Sequence, residues 1–114
     1  MAKIDMAVEE LSDRIRQILA NRGSVREQRM FGGMCFMLNG NMLVGPMKGG
    51  GLLARVGKDA YQEALKRPGA GPMKFTGKEM PGFVEVSGDV LEDDATLEDW
   101  ITLCEAFVAG LPAK

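Results

Sequence analysis

The chain contains no histidine, and this absence restricts its chemistry more than any motif that is present. Histidine is the commonest general base in enzymes and the commonest ligand of transition metals in proteins. A Cys/His catalytic pair is therefore excluded. Catalysis would depend on carboxylates or on two thiols alone, so the sequence favours a protein that is not an enzyme and that holds no cofactor.

Cysteine is also scarce. Cys35 and Cys104 are far apart in the sequence, and both lie within apolar, periodic segments. Such positions are typical of buried, reduced thiols and not of a disulfide or a metal site. Arg29 and Lys48 are charges of the kind that lower a cysteine pKa, which makes Cys35 a candidate reactive thiol. Its methionine and phenylalanine neighbours favour burial instead.

The chain has no long apolar run. None approaches the roughly 20 residues that are needed to span a bilayer. The N-terminal segment carries acids where a signal peptide needs an apolar stretch. These features predict a cytoplasmic protein that does not contact a membrane.

Charge is unevenly distributed along the chain. Residues 1–56 contain eight Lys/Arg and five Asp/Glu, whereas residues 57–114 contain six and eleven, and the net charge is -2. Nucleic-acid surfaces normally need a strongly basic patch that releases counterions. The acidic balance therefore does not favour direct nucleic-acid binding.

The predicted elements alternate between helices and short strands. The length of 114 residues indicates one domain over 1–114. Apolar residues at three- and four-residue steps predict helices over 5–22, 58–67 and 97–111. Apolar runs between glycine-rich turns predict strands over 25–31, 33–38, 42–47, 52–56, 73–75 and 83–86. This order, α-β(3-4)-α-β(2)-α, is typical of a two-layer α+β fold with an antiparallel sheet.

Two local signals mark turns and helix ends. Asn39-Gly40 between two apolar runs predicts a tight hairpin, because these residues tolerate positive φ. Thr96 followed by Asp99 resembles a capping box at the start of the last helix. Trp100 falls on the apolar face of that helix, which favours a core residue over a ligand platform.

The central strands are apolar on both faces. Alternation in the second strand places Cys35 and Met37 on one face, and alternation in the third places Leu43 and Met47 together. Strands that are apolar on both sides must be covered on both sides. We therefore expect a homodimer or an unknown protein partner to cover a surface that includes Met37, Leu43 and Met47.

A series of motifs in the chain points to a family. The string RMFGG at 29–33 is followed by the Asn39-Gly40 hairpin, by a strand that ends with LAR at 53–55, and by a final helix with Trp100. Together they resemble the N-terminal domain of the TfoX competence regulators over most of the chain. The resemblance implies a regulatory or interaction module with a two-layer fold similar to secretion chaperones, which are often dimeric. It implies no catalytic residues. The full-length regulators carry a second, helical domain after this one. Because the sequence stops at Lys114, we expect a stand-alone domain.

Three basic residues form a candidate site. Arg29, Lys48 and Arg55 lie within or beside the predicted strands and could bind an anion or an acidic partner. The alternative is that carboxylates such as Glu27 or Glu85 on neighbouring strands neutralise the two arginines. The glycines at 49–51 could likewise present backbone N–H groups to a phosphate, although the segment lacks the ending of a P-loop and a hairpin turn is favoured.

An acidic cluster precedes the last helix. It does not have the spacing of a calcium-binding EF-hand loop, and acids are favoured at the N-terminus of a helix. Its members are Asp89, Glu92, Asp93, Asp94, Glu98 and Asp99. A solvated helix entry is therefore favoured over a metal site.

Two functional hypotheses remain from the sequence. The first is a dimeric regulatory or protein-interaction module, whose working surface is the exposed part of the sheet with arginines at its margins. The second is a small-molecule or anion-binding domain that uses the Gly49–Gly51 loop and Arg55.

Overall fold

A computed structural model describes residues 6–20, 22, 25–30, 33–47, 50–75 and 77–113. Its elements, in chain order, are α1 (Met6–Leu19), β1 (Val25–Met30), β2 (Gly33–Leu38), β3 (Asn41–Pro46), β4 (Leu52–Arg55), α2 (Lys58–Leu65), β5 (Ala70–Phe75), β6 (Lys78–Val86), α3 (Gly88–Leu91) and α4 (Asp94–Val108). The predicted α+β class is confirmed. In the described part of the chain, no helix combines the length and apolarity that a membrane crossing requires.

The six strands form one sheet in the order β1-β2-β3-β4-β6-β5. Every neighbouring pair is antiparallel. β1 and β5 are therefore the two edges. The β5 edge contains Pro72, which has no backbone N–H to offer to a further strand.

The hairpin between β2 and β3 forms at the predicted turn. Asn39 has a φ of 52° and Gly40 has a φ of 82°. Leu38 pairs with Asn41, so the loop contains two residues. Positive φ at both positions is the requirement that Asn-Gly meets at low cost, and the prediction is confirmed.

The helices cover one face of the sheet. α4 packs on β3 and β4, α2 packs on β5 and β6, and α1 contacts β3. The core between the layers includes Ile15, Phe36, Leu52, Trp100 and Ile101, each with almost no exposed surface. The prediction that Trp100 is a core residue is confirmed.

Several boundaries differ from the sequence prediction. β5 and β6 extend over the segments 70–72 and 78–82, which were expected to be loop and turn. The extra turn of helix α3 was not expected. The N-cap of α4 is Asp93, whose carboxylate accepts a hydrogen bond from the backbone N–H of Ala95. The capping box at Thr96 was wrong, because Thr96 lies inside the helix and its hydroxyl donates to Asp93.

Ion pairs connect α1 to the C-terminal helices. Arg14 contacts Asp94 at 2.8 Å and also donates to the carbonyl oxygen of Leu91. Arg22, just after α1, contacts Glu98 and Glu105 of α4. Two members of the acidic cluster, Asp94 and Glu98, thus pair with arginines. The described residues contain no group of three or more His, Cys, Asp or Glu side chains that could hold a metal ion.

Candidate functional site

The sheet face opposite the helices carries its own apolar cluster, which we call the second face. Its side chains belong to strands, apart from Met47, which directly follows β3. No described helix contributes to it. Cys35, Met37, Met42 and Leu53 form its centre, with Met47, Met73 and Phe83 packed around them. The prediction of strands that are apolar on both sides is therefore confirmed, and Met37 and Met47 lie on this face as expected.

Leu43 does not lie on the second face, so its assignment to that surface was wrong. Met37 pairs with Met42 while Phe36 pairs with Val44, which leaves Leu43 as an extra residue in a β-bulge. Its side chain is fully buried in the core beneath the helices. Met42 takes the position on the second face that alternation gave to Leu43.

The centre of the second face is buried, although no described helix packs on it. Its four central residues are each less than 10% exposed, whereas Met47, Met73 and Phe83 are half-buried. Methionine suits this role because its unbranched side chain adapts to irregular surfaces. A partner would therefore contact mainly the three half-buried side chains.

Cys35 is packed tightly at this centre. A Cβ added at Gly45 on the neighbouring strand would lie 3.2 Å from its Sγ, a tight contact that would require Cys35 to shift by a few tenths of an ångström. Burial raises the pKa of the Cys35 thiol. Both cysteines are free and buried, which confirms the prediction of reduced structural thiols.

Arg55 lies at the margin of the second face and is held by aromatic rings. Its guanidinium carbon is 5.7 Å from the ring centroids of both Phe83 and Phe107. One nitrogen is 3.5 Å from the backbone oxygen of Met42, at the limit of a hydrogen bond. Among the described residues no carboxylate lies within 4 Å of it, and its side chain is half-buried.

The expected carboxylate partners of the two arginines are not realised. Glu27 instead accepts two hydrogen bonds from Arg16 of α1, each 2.7 Å long. Arg16 thereby lowers the pKa of the Glu27 carboxyl. Glu85 makes no ion pair with any described residue. The pairing alternative was therefore wrong for Arg55.

The predicted three-residue cationic site is not assembled. Arg29 pairs with Met34 and shares the helix-covered face with Glu27, whereas Arg55 borders the second face. Three strand spacings of about 4.8 Å each also separate β1 from β4. Lys48 lies outside the described residues. Arg29 and Arg55 cannot contact one anion.

The glycine loop is also remote from Arg55. Gly51 precedes β4 and Arg55 ends it, a separation of four extended residues or about 13 Å. A depression of about 300 Å³ near Gly51 is lined by Met47, Gly71 and Glu85, among others. Among the described residues that line it, Glu85 is the single ionisable group, and an acid disfavours an anion. Gly49 lies outside the described residues.

Sequence reasoning missed the aromatic residues that hold Arg55. Phe83 is opposite Arg55 on β6, and Phe107 comes from the last turn of α4. The strand pairing of β4 with β6 brings the first into place, and no local pattern could predict it. The second lies against Gly57, where an added Cβ would overlap the Phe107 ring, with Cε1 only 2.6 Å away.

Comparison with known proteins assigns the chain to a family. Residues 17–108 match the model of the TfoX N-terminal domain. The match runs from the last turn of α1 to the end of α4 and so includes the whole sheet. A search of curated proteins finds no match.

Proposed function

Since the chain belongs to the TfoX N-terminal domain family, we propose that it is a regulatory, protein-interaction module that works without catalysis. The second face carries this proposal. The described helices that pack on the sheet lie on its other side, yet this side is also apolar. An apolar surface without a covering helix is a feature of interaction sites.

The chemistry of the proposed surface favours a protein ligand. Met47, Met73 and Phe83 offer adaptable apolar contacts, and methionine-rich surfaces are common where a protein binds another protein. Arg55 adds a cation that two aromatic rings hold in place before binding. Arginine is enriched at the energetic centres of interfaces, and a positioned guanidinium recognises a carboxylate with two parallel hydrogen bonds. The partner segment is therefore apolar with an acidic residue at one end.

The non-catalytic part of the proposal is supported by the buried thiols. Burial raises the pKa of Cys104 to about 12 and also raises that of Cys35. A thiol with a raised pKa is a poor nucleophile at neutral pH. The chain has no histidine that could act as a base in their place.

The remaining parts of the proposal are the assembly and the compartment. We place the protein in the cytoplasm, where free thiols persist. We also propose that it acts as a homodimer. A role in competence would follow the resemblance to the TfoX regulators.

The second face is tested by comparing the proteins that co-purify with three forms of the tagged chain from its own host. The forms are the wild type, Met47→Glu and, as a control, Gln62→Glu on the exposed side of α2. We expect the same partner with the wild type and the control, and its loss with Met47→Glu. Equal recovery with all three forms would contradict the role of this surface.

The small-ligand alternative makes a different prediction. A ligand that binds only the native state raises its melting temperature. A thermal-shift screen with nucleotides and phosphorylated metabolites therefore separates the two hypotheses. A specific rise in melting temperature that is lost in Arg55→Ala would favour the small-ligand alternative. If the protein is an interaction module, none of these ligands should raise its melting temperature.

A further inference from the structure

The described side chains of the edge strand β1 are more exposed than those of any other strand. Its four residues 26–29 are exposed, and its first residue is half-buried. β1 is bonded to β2 on one side only. Alternate residues of such a strand direct their backbone N–H and C=O groups away from the sheet, where a further strand can pair with them.

Charged side chains usually protect an edge strand from pairing. β1 has the sequence VREQRM, with three charges in six residues. Protection of this kind works when every register opposes like charges. When β1 pairs with a second copy of itself, however, one register places opposite charges facing each other.

Only a few registers are possible for two antiparallel copies of β1. Along β1, every second residue directs its backbone groups outward, so even-numbered residues must pair with even-numbered residues and odd with odd. At the twofold axis, one residue therefore lies opposite its own copy. An axis at Glu27 opposes Glu27 to its own copy. An axis at Arg29 opposes Arg29 to its own copy. Like charges directly opposite each other are destabilising.

An axis at Gln28 gives complementary charges. Glu27 of each copy then lies opposite Arg29 of the other, and symmetry makes this pair twice. At the axis, Gln28 meets Gln28 of the second copy, and two amides can donate to and accept from each other. Opposite charges across antiparallel strands stabilise their pairing.

The surroundings of Glu27 are arranged to receive a second cation. Glu27 already binds Arg16, which also pairs with Asp13. Arg29 makes no ion pair with any described residue and lies on the same face as Glu27. Arg29 of a second copy would join this network. The network would then contain two acids and two cations, namely Asp13, Glu27, Arg16 and Arg29. Such a network is balanced, whereas the described contacts leave Arg29 uncompensated.

We propose that a second copy of this chain pairs antiparallel with β1 about an axis at Gln28. Glu27 of each copy faces Arg29 of the other, and the two six-stranded sheets become continuous. This inference rests on the homodimer proposed above but assigns its contact to the edge of the sheet. The second face then stays free for a different protein.

Charge reversal tests the pairing. Arg29→Glu places an acid opposite Glu27 of the second copy, and Glu27→Arg places a cation opposite Arg29 of the second copy. Each variant alone converts two attractive pairs into two repulsive ones, so we expect self-association to weaken by at least ~tenfold. In an equimolar mixture of the two variants, the heterodimer opposes an acid to a cation in both pairs, because one variant carries two acids and the other two cations, so mixing should restore association. The double variant Glu27→Arg/Arg29→Glu restores two complementary pairs, and sedimentation velocity should again show a dimer of twice the 12.4 kDa chain mass.

Two controls make the result specific. Lys58→Glu reverses an exposed charge at the start of α2 and should leave self-association unchanged. Circular dichroism reports whether each variant is folded. If Glu27→Arg and the double variant misfold because Arg16 loses its partner, Arg29→Glu alone decides, since Arg29 has no ion pair with a described residue to lose.

The outcomes separate this inference from the proposed homodimer. A wild type that stays monomeric at ~0.1 mM, where weak interfaces are populated, would overturn both. A dimer that persists in Arg29→Glu but is lost in Met47→Glu would overturn the edge pairing and leave the homodimer on the second face. Dimers that persist in every variant would likewise rule out pairing through β1.

Discussion

The guanidinium of Arg55 lies 5.7 Å from the ring of Phe83, the residue directly opposite it in the sheet. Phe107, from the end of the last helix, approaches the same guanidinium at an equal distance. One ring belongs to the second face and the other to the helical layer. Arg55 therefore links the two layers at the margin of the sheet.

Replacement of Arg55 should affect binding more than stability. A cation near an aromatic ring contributes ~0.5–1 kcal/mol at an exposed site. We expect Arg55→Ala to lower the free energy of unfolding by ~1 kcal/mol, measured by urea denaturation. Arg26→Ala on β1, which removes an exposed arginine without an ion pair to a described residue, should change it by less than ~0.5 kcal/mol. Equal losses would show that the rings do not hold Arg55.

Gly57 should be the glycine that tolerates substitution least. Its φ is +84°, and an added Cβ would overlap the Phe107 ring, with Cε1 only 2.6 Å away. Strain and overlap together predict that Gly57→Ala lowers the free energy of unfolding by ~3 kcal/mol. Gly71→Ala is the control, because a Cβ added there would have nothing within 4 Å. Thermal melts in which both variants match the wild type would contradict this packing.

Leu43 and Met47 should differ sharply when each is replaced by alanine. Leu43 is fully buried beneath the helices, so Leu43→Ala should cost ~3 kcal/mol through lost contacts and a residual cavity. Met47 is half-buried on the second face, and Met47→Ala should cost less than ~1.5 kcal/mol. Urea unfolding measures both. Equal costs would mean that the bulge does not turn Leu43 into the core.

Cys104 should make stability fall at alkaline pH. Burial raises the pKa of its thiol from 9.0 to about 12. Above pH 9 the unfolded thiol ionises while the folded thiol stays protonated, so its contribution is complete below pH 9 and is lost between pH 9 and 12. The loss at pH 10 is ~1 kcal/mol.

A variant isolates this effect from other groups. Cys35 and Tyr61 also have raised pKa values, and both remain in Cys104→Ala. The free energy of unfolding should therefore drop less between pH 7 and pH 10 in Cys104→Ala than in the wild type. An identical drop in both proteins would show that Cys104 is not shielded from solvent.

Local patterns in the sequence predicted the sheet and its central hairpin. Asn39-Gly40 is decisive because few residue pairs accept positive φ at two successive positions. The alternation of Cys35 and Met37 with larger core residues likewise placed them on the second face. These inferences succeeded because they depend on residues that are neighbours in the chain.

Predictions failed where distant segments determine the outcome. A bulge changes the face on which the residues of β3 lie, and its position depends on the pairing with β2, which local alternation does not specify. The ion pair of Glu27 was missed because α1 supplies its partner. Arg55 was expected to need a carboxylate, whereas α4 and β6 provide aromatic rings instead.

The two edges of the sheet are chemically unlike, and this difference limits how large an assembly can become. A contact between two copies of β1 uses that edge in both molecules at once, so only the two β5 edges remain. Each of them carries Pro72, which interrupts the backbone donors that another strand would need. Growth would therefore stop at two chains, and concentrated protein should form dimers without fibres.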